Sequence, residues 1–136
     1  MTNSPRKQAA TRLITNAGQG NIAEVEALIA EGFVLEQMDH DPATSTSPAG
    51  VRHDRGSYLR FLGQVSAMTK SGMNLSIDLI VEEGDNLAVF GTSNAIAPSG
   101  WVYRNAYSWH LTFHGDKVAQ MREFYDTALG HRLLQG

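Results

Sequence analysis

The residues best equipped for chemistry lie near the end of the chain. The run from Trp101 to Asp126 reads WVYRNAYSWHLTFHGDKVAQMREFYD and divides into two strand-like halves about a turn at His114-Gly115-Asp116. Period-two alternation puts Trp101, Tyr103, Asn105, Tyr107, Trp109, Leu111 and Phe113 on one face of the first half. A face built only for packing favours Val, Ile and Leu. Two Trp, two Tyr and an Asn ahead of an apolar end instead suit the wall of a pocket for something large and flat. Asn105, Tyr107, Trp109 and Tyr103 would line it. Asn on a buried strand face needs a partner, which can be a neighbouring backbone or a ligand.

The second half ends in Arg122-Glu123-Phe124-Tyr125-Asp126, setting ionisable groups beside that wall. Asp126 has two compatible readings. It can be a partly desolvated carboxylate that takes and returns a proton near neutral pH, or the cap of a helix starting at Thr127. Arg122 and Glu123 lie on opposite faces of one strand, so only one points inward. Arg122 shares the parity of Asp126, and with no intervening bulge the two pair across the pocket face. His110 and His114 fall on the outward face, at the surface or a dimer contact.

A second polar cluster, Asp39-His40-Asp41, precedes Pro42. Turn chemistry accounts for at least two of the three, leaving one to point into the pocket mouth. Its spacing matches no metal-ligand motif and there is no helical His pair, so no metal site is expected. No Ser–His–Asp order, phosphate loop or dinucleotide fingerprint is present, and no cofactor is expected.

The elements that position these groups follow from capping and periodicity. Ser4-Pro5 starts a first helix with Ala9, Ala10, Leu13 and Ile14 on its inner face. Asn21, with Glu24 in capping-box position, starts a second, closed by Gly32. Phe33 to Met38 is a short strand, and Met38 at its end joins the pocket lining. Residues 42–53, rich in Pro, Ser, Thr and Gly, read as an exposed loop. Asp54 caps a third helix with Tyr58, Leu62, Val65 and Met68 inward, Tyr58 serving core or pocket. Four strands in meander follow, broken at Glu83–Asn86, Ala97–Gly100 and His114–Asp116, then a short helix to Leu134.

A chain of 136 residues makes one domain with a real core, and residues 1–4 are expected to be disordered. A net charge of −3, with Lys and Arg scattered, argues against nucleic acid or an anionic membrane as partner. The absence of cysteine excludes thiolate chemistry and fits a reducing compartment. With no signal-like or membrane-spanning run, the expected location is the cytoplasm.

This order of elements resembles the superfamily that contains nuclear transport factor 2, ketosteroid isomerase, scytalone dehydratase, limonene epoxide hydrolase and the SnoaL-type polyketide cyclases. The resemblance rests on Gly20-Asn21 with Ala27-Leu28, on Asp41-Pro42, on Asn105-Ala106-Tyr107, and on Gly115-Asp116-Lys117-Val118 followed by Arg122 to Asp126. The closing pattern is most similar to the SnoaL-like branch. It implies an α+β fold: a cone-shaped (cystatin-like) curved antiparallel sheet with three helices from the N-terminal half on its concave face. It also implies a homodimer through the outer sheet face.

In ketosteroid isomerase an Asp-Pro after the first strand supplies the base. The resemblance makes Asp41 a candidate catalytic residue, with His40 next. That enzyme's oxyanion-holding Tyr and Asp fall at Leu13 and Trp109, so steroid isomerisation by that set is not implied. Limonene epoxide hydrolase places an Asp where Asp126 stands, but its Arg-x-Asp is replaced by Asn105-Ala106-Tyr107. SnoaL-type cyclases need one acid/base carboxylate among aromatic walls, with polar groups for an enolate, and Asp126, Asn105 and Tyr107 come closest to that. The expected function is a cofactor-independent cyclase, isomerase or dehydratase acting on a hydrophobic cyclic or polyketide-like carbonyl compound. The alternative is a non-catalytic domain of the same fold that binds a small molecule or a protein.

Overall fold

The computed structural model describes residues 4–48 and 50–135, so the expectation for residues 1–3 lies outside the described residues. Helix α1 (Pro5–Gln19) begins where the Ser4 hydroxyl accepts the Lys7 N–H at 3.1 Å, so Ser4 is placed as a cap. Ala9, Ala10, Leu13 and Ile14 form its buried stripe, and Gly20, at φ 70°, turns the chain out of the helix. Helix α2 (Ile22–Glu26) is shorter than the sequence suggested. The Asn21 side chain does not cap it but donates to Asn16 Oδ1 at 2.9 Å. The chain is already extended at Ile29, so Gly32 lies within strand β1 (Ile29–Gln37) instead of closing a helix. Pairing of Ile29 with Val118 overrides the helical spacing of Val25, Leu28 and Ile29.

Residues 41–48 are exposed, as a loop should be, but Val51–Asp54 forms strand β2. It pairs antiparallel with β1, from Val34–Asp54 to Gln37–Val51. Four residues beside a Pro- and Ser-rich stretch are too few for alternation to show. Asp54 then caps helix α3 (Arg55–Ala67), accepting the Ser57 N–H at 2.8 Å, and α3 buries Tyr58 and Leu62.

Strands β3 (Lys70–Glu83), β4 (Asn86–Ile96), β5 (Val102–His114) and β6 (Lys117–Tyr125) form the antiparallel meander that the turns require. The curved sheet is open, with order β2-β1-β6-β5-β4-β3. It is mixed, not wholly antiparallel, because β1 runs parallel to β6. The long excursion through β2, α3 and the meander lets β6 return alongside β1 in the same direction. α1 packs on β3, and α3 packs on β1 and β3. The core between these helices and the sheet includes Leu13, Ile14, Phe33, Leu35, Trp109 and Leu111. Helix α4 (Thr127–Leu134) closes the chain. No helix among the described residues is long and apolar enough to cross a membrane.

One irregularity decides which side chains reach the interior. Phe113 pairs with Val118 but Thr112 pairs with Gln120, so Ala119 is an extra residue in β6. Val118 is buried before this bulge. After it, Met121, Glu123 and Tyr125 share the inner face with Trp109 and Tyr107, their neighbours across the β5–β6 pair.

Candidate functional site

A cavity opens between the helices and the inner face of the sheet. The space outside atoms there, open solvent at the mouth included, is about 790 Å³. Tyr103, Tyr107 and Trp109 of β5 line it with Glu123 and Tyr125 of β6, Gln37 of β1, Tyr58 and Phe61 of α3, and Leu133 of α4. Glu123 is the one charged side chain among the described lining residues.

Sheet register brings the polar centre together. Gln37 pairs with Glu123 across β1–β6, and Glu123 pairs with Trp109 across β5–β6, so three side chains stand abreast on one row. The Glu123 carboxyl accepts Gln37 Nε2–H at its Oε1 and Trp109 Nε1–H at its Oε2, both at 2.9 Å. No cation neutralises it within ion-pair distance among the described residues. It retains some exposed area where it borders the cavity. Burial raises the Glu123 pKa above the ordinary carboxyl value, and the bonds from Gln37 and Trp109 offset only part of that shift.

Beside this row the Tyr107 ring lies between two others. Trp109 stacks on it at 5.0 Å with planes 5° apart, and Tyr125 at 5.6 Å with planes 25° apart. The Tyr103 and Tyr107 hydroxyls are 2.6 Å apart, and Asn105 Nδ2 donates to Tyr103 Oη at 2.7 Å. Burial first, and then the negative charge of Glu123, raises the pKa values of Tyr58, Tyr107 and Tyr125. Tyr103 is also raised, chiefly by burial. These phenols stay protonated at any ordinary pH and act as donors.

The expected site residues divide by location. Tyr103, Tyr107, Trp109 and Tyr58 line the cavity. Asn105 is buried and bound to neighbouring backbone: its amide bridges the N–H and the carbonyl of Asp126 at 3.2 and 3.0 Å. Asp126 is exposed and caps α4, accepting the Ala128 and Leu129 N–H groups at 3.0 and 3.3 Å. Asp41 is exposed and accepts the Ala43 N–H at 2.9 Å, and His40 Nε2 donates to the Pro48 carbonyl at 2.8 Å. Met38 lies beside the site through its backbone, its N–H donating to the Glu123 carbonyl at 2.9 Å. Arg122 is exposed on the opposite face of the sheet, 3.6 Å from the buried Glu36. The Ala119 bulge reverses the parity that would have brought Arg122 inward, and Glu123 takes that place.

Sequence reasoning therefore missed Glu123 and Gln37 at the centre of the cavity. Within the Asp39-His40-Asp41 cluster it preferred Asp41 and His40, whereas it is Asp39 whose Oδ2 meets His131 Nε2 at 2.7 Å and ties α4 to the segment after β1. The available signal for Glu123 was its phase with Met121 and Tyr125, two residues suited to an inner face.

No curated protein matches the sequence. Solved structures do match, over nearly the whole chain. BvnE pinacolase from Penicillium brevicompactum superposes with a TM-score of 0.78 at 17% identity, covering 96% of this chain and 92% of its own. TerC, co-crystallised with polyporic acid, gives 0.77 at 19% identity, covering 98% and 100%. A nuclear transport factor 2-like protein from Burkholderia xenovorans gives 0.70 at 19% identity, covering 98% of each chain. At such identities the likeness is one of fold. The SnoaL-like domain family model matches residues 10–121, spanning both core helices and the sheet through Met121, and the chain belongs to that family.

Proposed function

We propose that this domain is a cofactor-independent acid/base catalyst of the cyclase, isomerase or dehydratase type, with Glu123 as its proton-carrying group. The observation that carries this reading is a cavity walled by aromatic and aliphatic side chains that holds one carboxyl with raised proton affinity. The substrate class is a hydrophobic cyclic or polyketide-like carbonyl compound, flat enough to lie along the aromatic wall. Glu123 takes a proton from a carbon beside the carbonyl and returns it elsewhere on the same skeleton. The role first considered for Asp126 passes to Glu123, because the Asp126 carboxylate is occupied by backbone N–H groups outside the cavity.

The test is turnover of a panel of cyclic 1,3-dicarbonyl and aryl polyketide-like compounds by wild type and Glu123→Gln. Loss of a positioned acid/base group should lower kcat by about 10²–10⁴-fold with ligand binding kept. Full turnover in Glu123→Gln on a substrate that the wild type converts would remove Glu123 from the mechanism.

We also infer a homodimer through the outer sheet face. Leu79, Phe90 and Phe124 are 55%, 39% and 44% exposed, and register places them in one cross-strand row with Ser108. A monomeric mass in sedimentation at micromolar concentration would overturn this assignment.

A further inference from the structure

The hydroxyl pair at the cavity wall has a direction, and the direction follows from one amide. Asn105 Oδ1 lies 2.9 Å from the Ala106 nitrogen and 3.2 Å from the Asp126 nitrogen, both of which only donate. Its Nδ2 must then face the Asp126 carbonyl and Tyr103 Oη, at 3.0 and 2.7 Å. Tyr103 Oη therefore accepts from Asn105 and has its own proton to place. The acceptor at hydrogen-bond distance is Tyr107 Oη, at 2.6 Å, while the buried Ser93 hydroxyl lies near both phenols on the side of a donor to them. Tyr107 accepts that proton and is left with its own. The acceptor then facing it is Met73 Sδ at 3.9 Å, a weak one that also lines the cavity.

The geometry points to Asn105 and Tyr103 as positioning residues that make the Tyr107 hydroxyl a hydrogen-bond donor to a carbonyl, enol or phenol oxygen of the cavity ligand. Each bond in the series Asn105 to Tyr103 to Tyr107 polarises the next, so the last hydroxyl donates more strongly than an isolated phenol. A donor already aimed where negative charge develops needs no reorganisation when a proton leaves the neighbouring carbon. The inference rests on the acid/base reading above and deepens it. The ligand's oxygen belongs at Tyr107, and its proton-exchanging carbon belongs at Glu123.

The test titrates 4-nitrophenol into wild type, Tyr107→Phe, Tyr103→Phe and Glu123→Gln, with absorbance reporting the ionisation of the bound phenol. 4-Nitrotoluene, which has nearly the same shape without the hydroxyl, is the control. Wild type should prefer the phenol. Tyr107→Phe should lose about tenfold or more of that preference, the worth of one buried hydrogen bond. Tyr103→Phe should lose several-fold and ionise the bound phenol at higher pH, although its missing hydroxyl does not touch the probe. The nitrotoluene affinity should not move.

A wild type with no preference for the phenol overturns the proposal. So does a Tyr103→Phe variant with wild-type preference and wild-type phenol ionisation, or one that loses both ligands equally. The two readings fail separately. A phenol preference that depends on Tyr103 together with full turnover in Glu123→Gln would sink only the acid/base role. No such dependence, with turnover lost in Glu123→Gln, would sink only the donor series.

Discussion

Replacing Glu123 with Gln also tests the electrostatics of the site without any substrate. Burial makes the folded protein hold the Glu123 proton more tightly than the unfolded chain does, whose value is near 4.5. Between that value and the raised folded one, unfolding releases a proton, so stability falls as pH rises. The fall is about 1.4 kcal/mol for each pH unit that separates the two values, and the curve flattens above the folded value. Gln carries no charge and contributes no such slope. It also fits the site, because its oxygen can accept from Trp109 while Gln37 turns its own amide over to accept from the new NH₂. The charge-assisted part of the bonds from Gln37 and Trp109 is present only where Glu123 is ionised, so it belongs to the pH-dependent difference between the two proteins. The assay is urea unfolding followed by circular dichroism from about pH 4 to about pH 8, read as wild type minus variant so that other titrating groups cancel. Wild type should lose stability relative to Glu123→Gln as pH rises from the ordinary carboxyl range. Parallel curves would show that Glu123 titrates as in the unfolded chain and is not a poised proton carrier.

Trp109→Phe keeps an aromatic ring in the stack but removes the donor to Glu123 Oε2. It should cost about 1–3 kcal/mol at neutral pH and less in acid. It should also move the pH-dependent loss of stability upward, since that bond holds the Glu123 pKa down; an unchanged pH profile would refute this. A Cβ added at Gly50 would lie 2.0 Å from the Gln37 carbonyl oxygen and 2.7 Å from the Asp39 nitrogen, both rigid backbone. Gly50→Ala should therefore destabilise by about 2–3 kcal/mol, and an unchanged Tm would show that the approach is not that close. If the proposed homodimer forms through the outer sheet face, Phe124→Asp should sediment as a monomer and the wild type at twice that mass. Equal masses would remove Phe124 from the interface.

Period-two alternation in β5 was legible because thirteen residues show it without interruption, and the predicted inner face is the observed one. Caps were legible where a side chain meets its own helix, at Ser4, Asp54 and Asp126. Asn21 has the right residue type but binds Asn16, a choice that depends on how the α1–α2 corner packs. The parallel pairing of β1 with β6 joins segments some ninety residues apart, and no local pattern encodes it. The candidate site was half legible. Its aromatic wall came from one long strand, whereas its acid depends on a bulge, and a bulge shows in sequence only as a change of phase. Asp39 fell among three similar residues, and its partner His131 lies in another helix, so only tertiary structure separates it from Asp41.

The bulge at Ala119 has a consequence for how residues are matched between proteins of this fold. It makes β6 a strand with two counting frames: positions before it align with the β5–β6 turn, and positions after it align with α4. Counting forward from Gly115-Asp116 by strict alternation delivers Arg122 to the cavity, while counting back from Tyr125 delivers Glu123. A role transferred from a relative that lacks the extra residue will land one position away, on a side chain of opposite charge and on the opposite side of the sheet. Correspondence in this segment is therefore safest when anchored on cross-strand partners, with whatever stands opposite Trp109 taken as the equivalent residue.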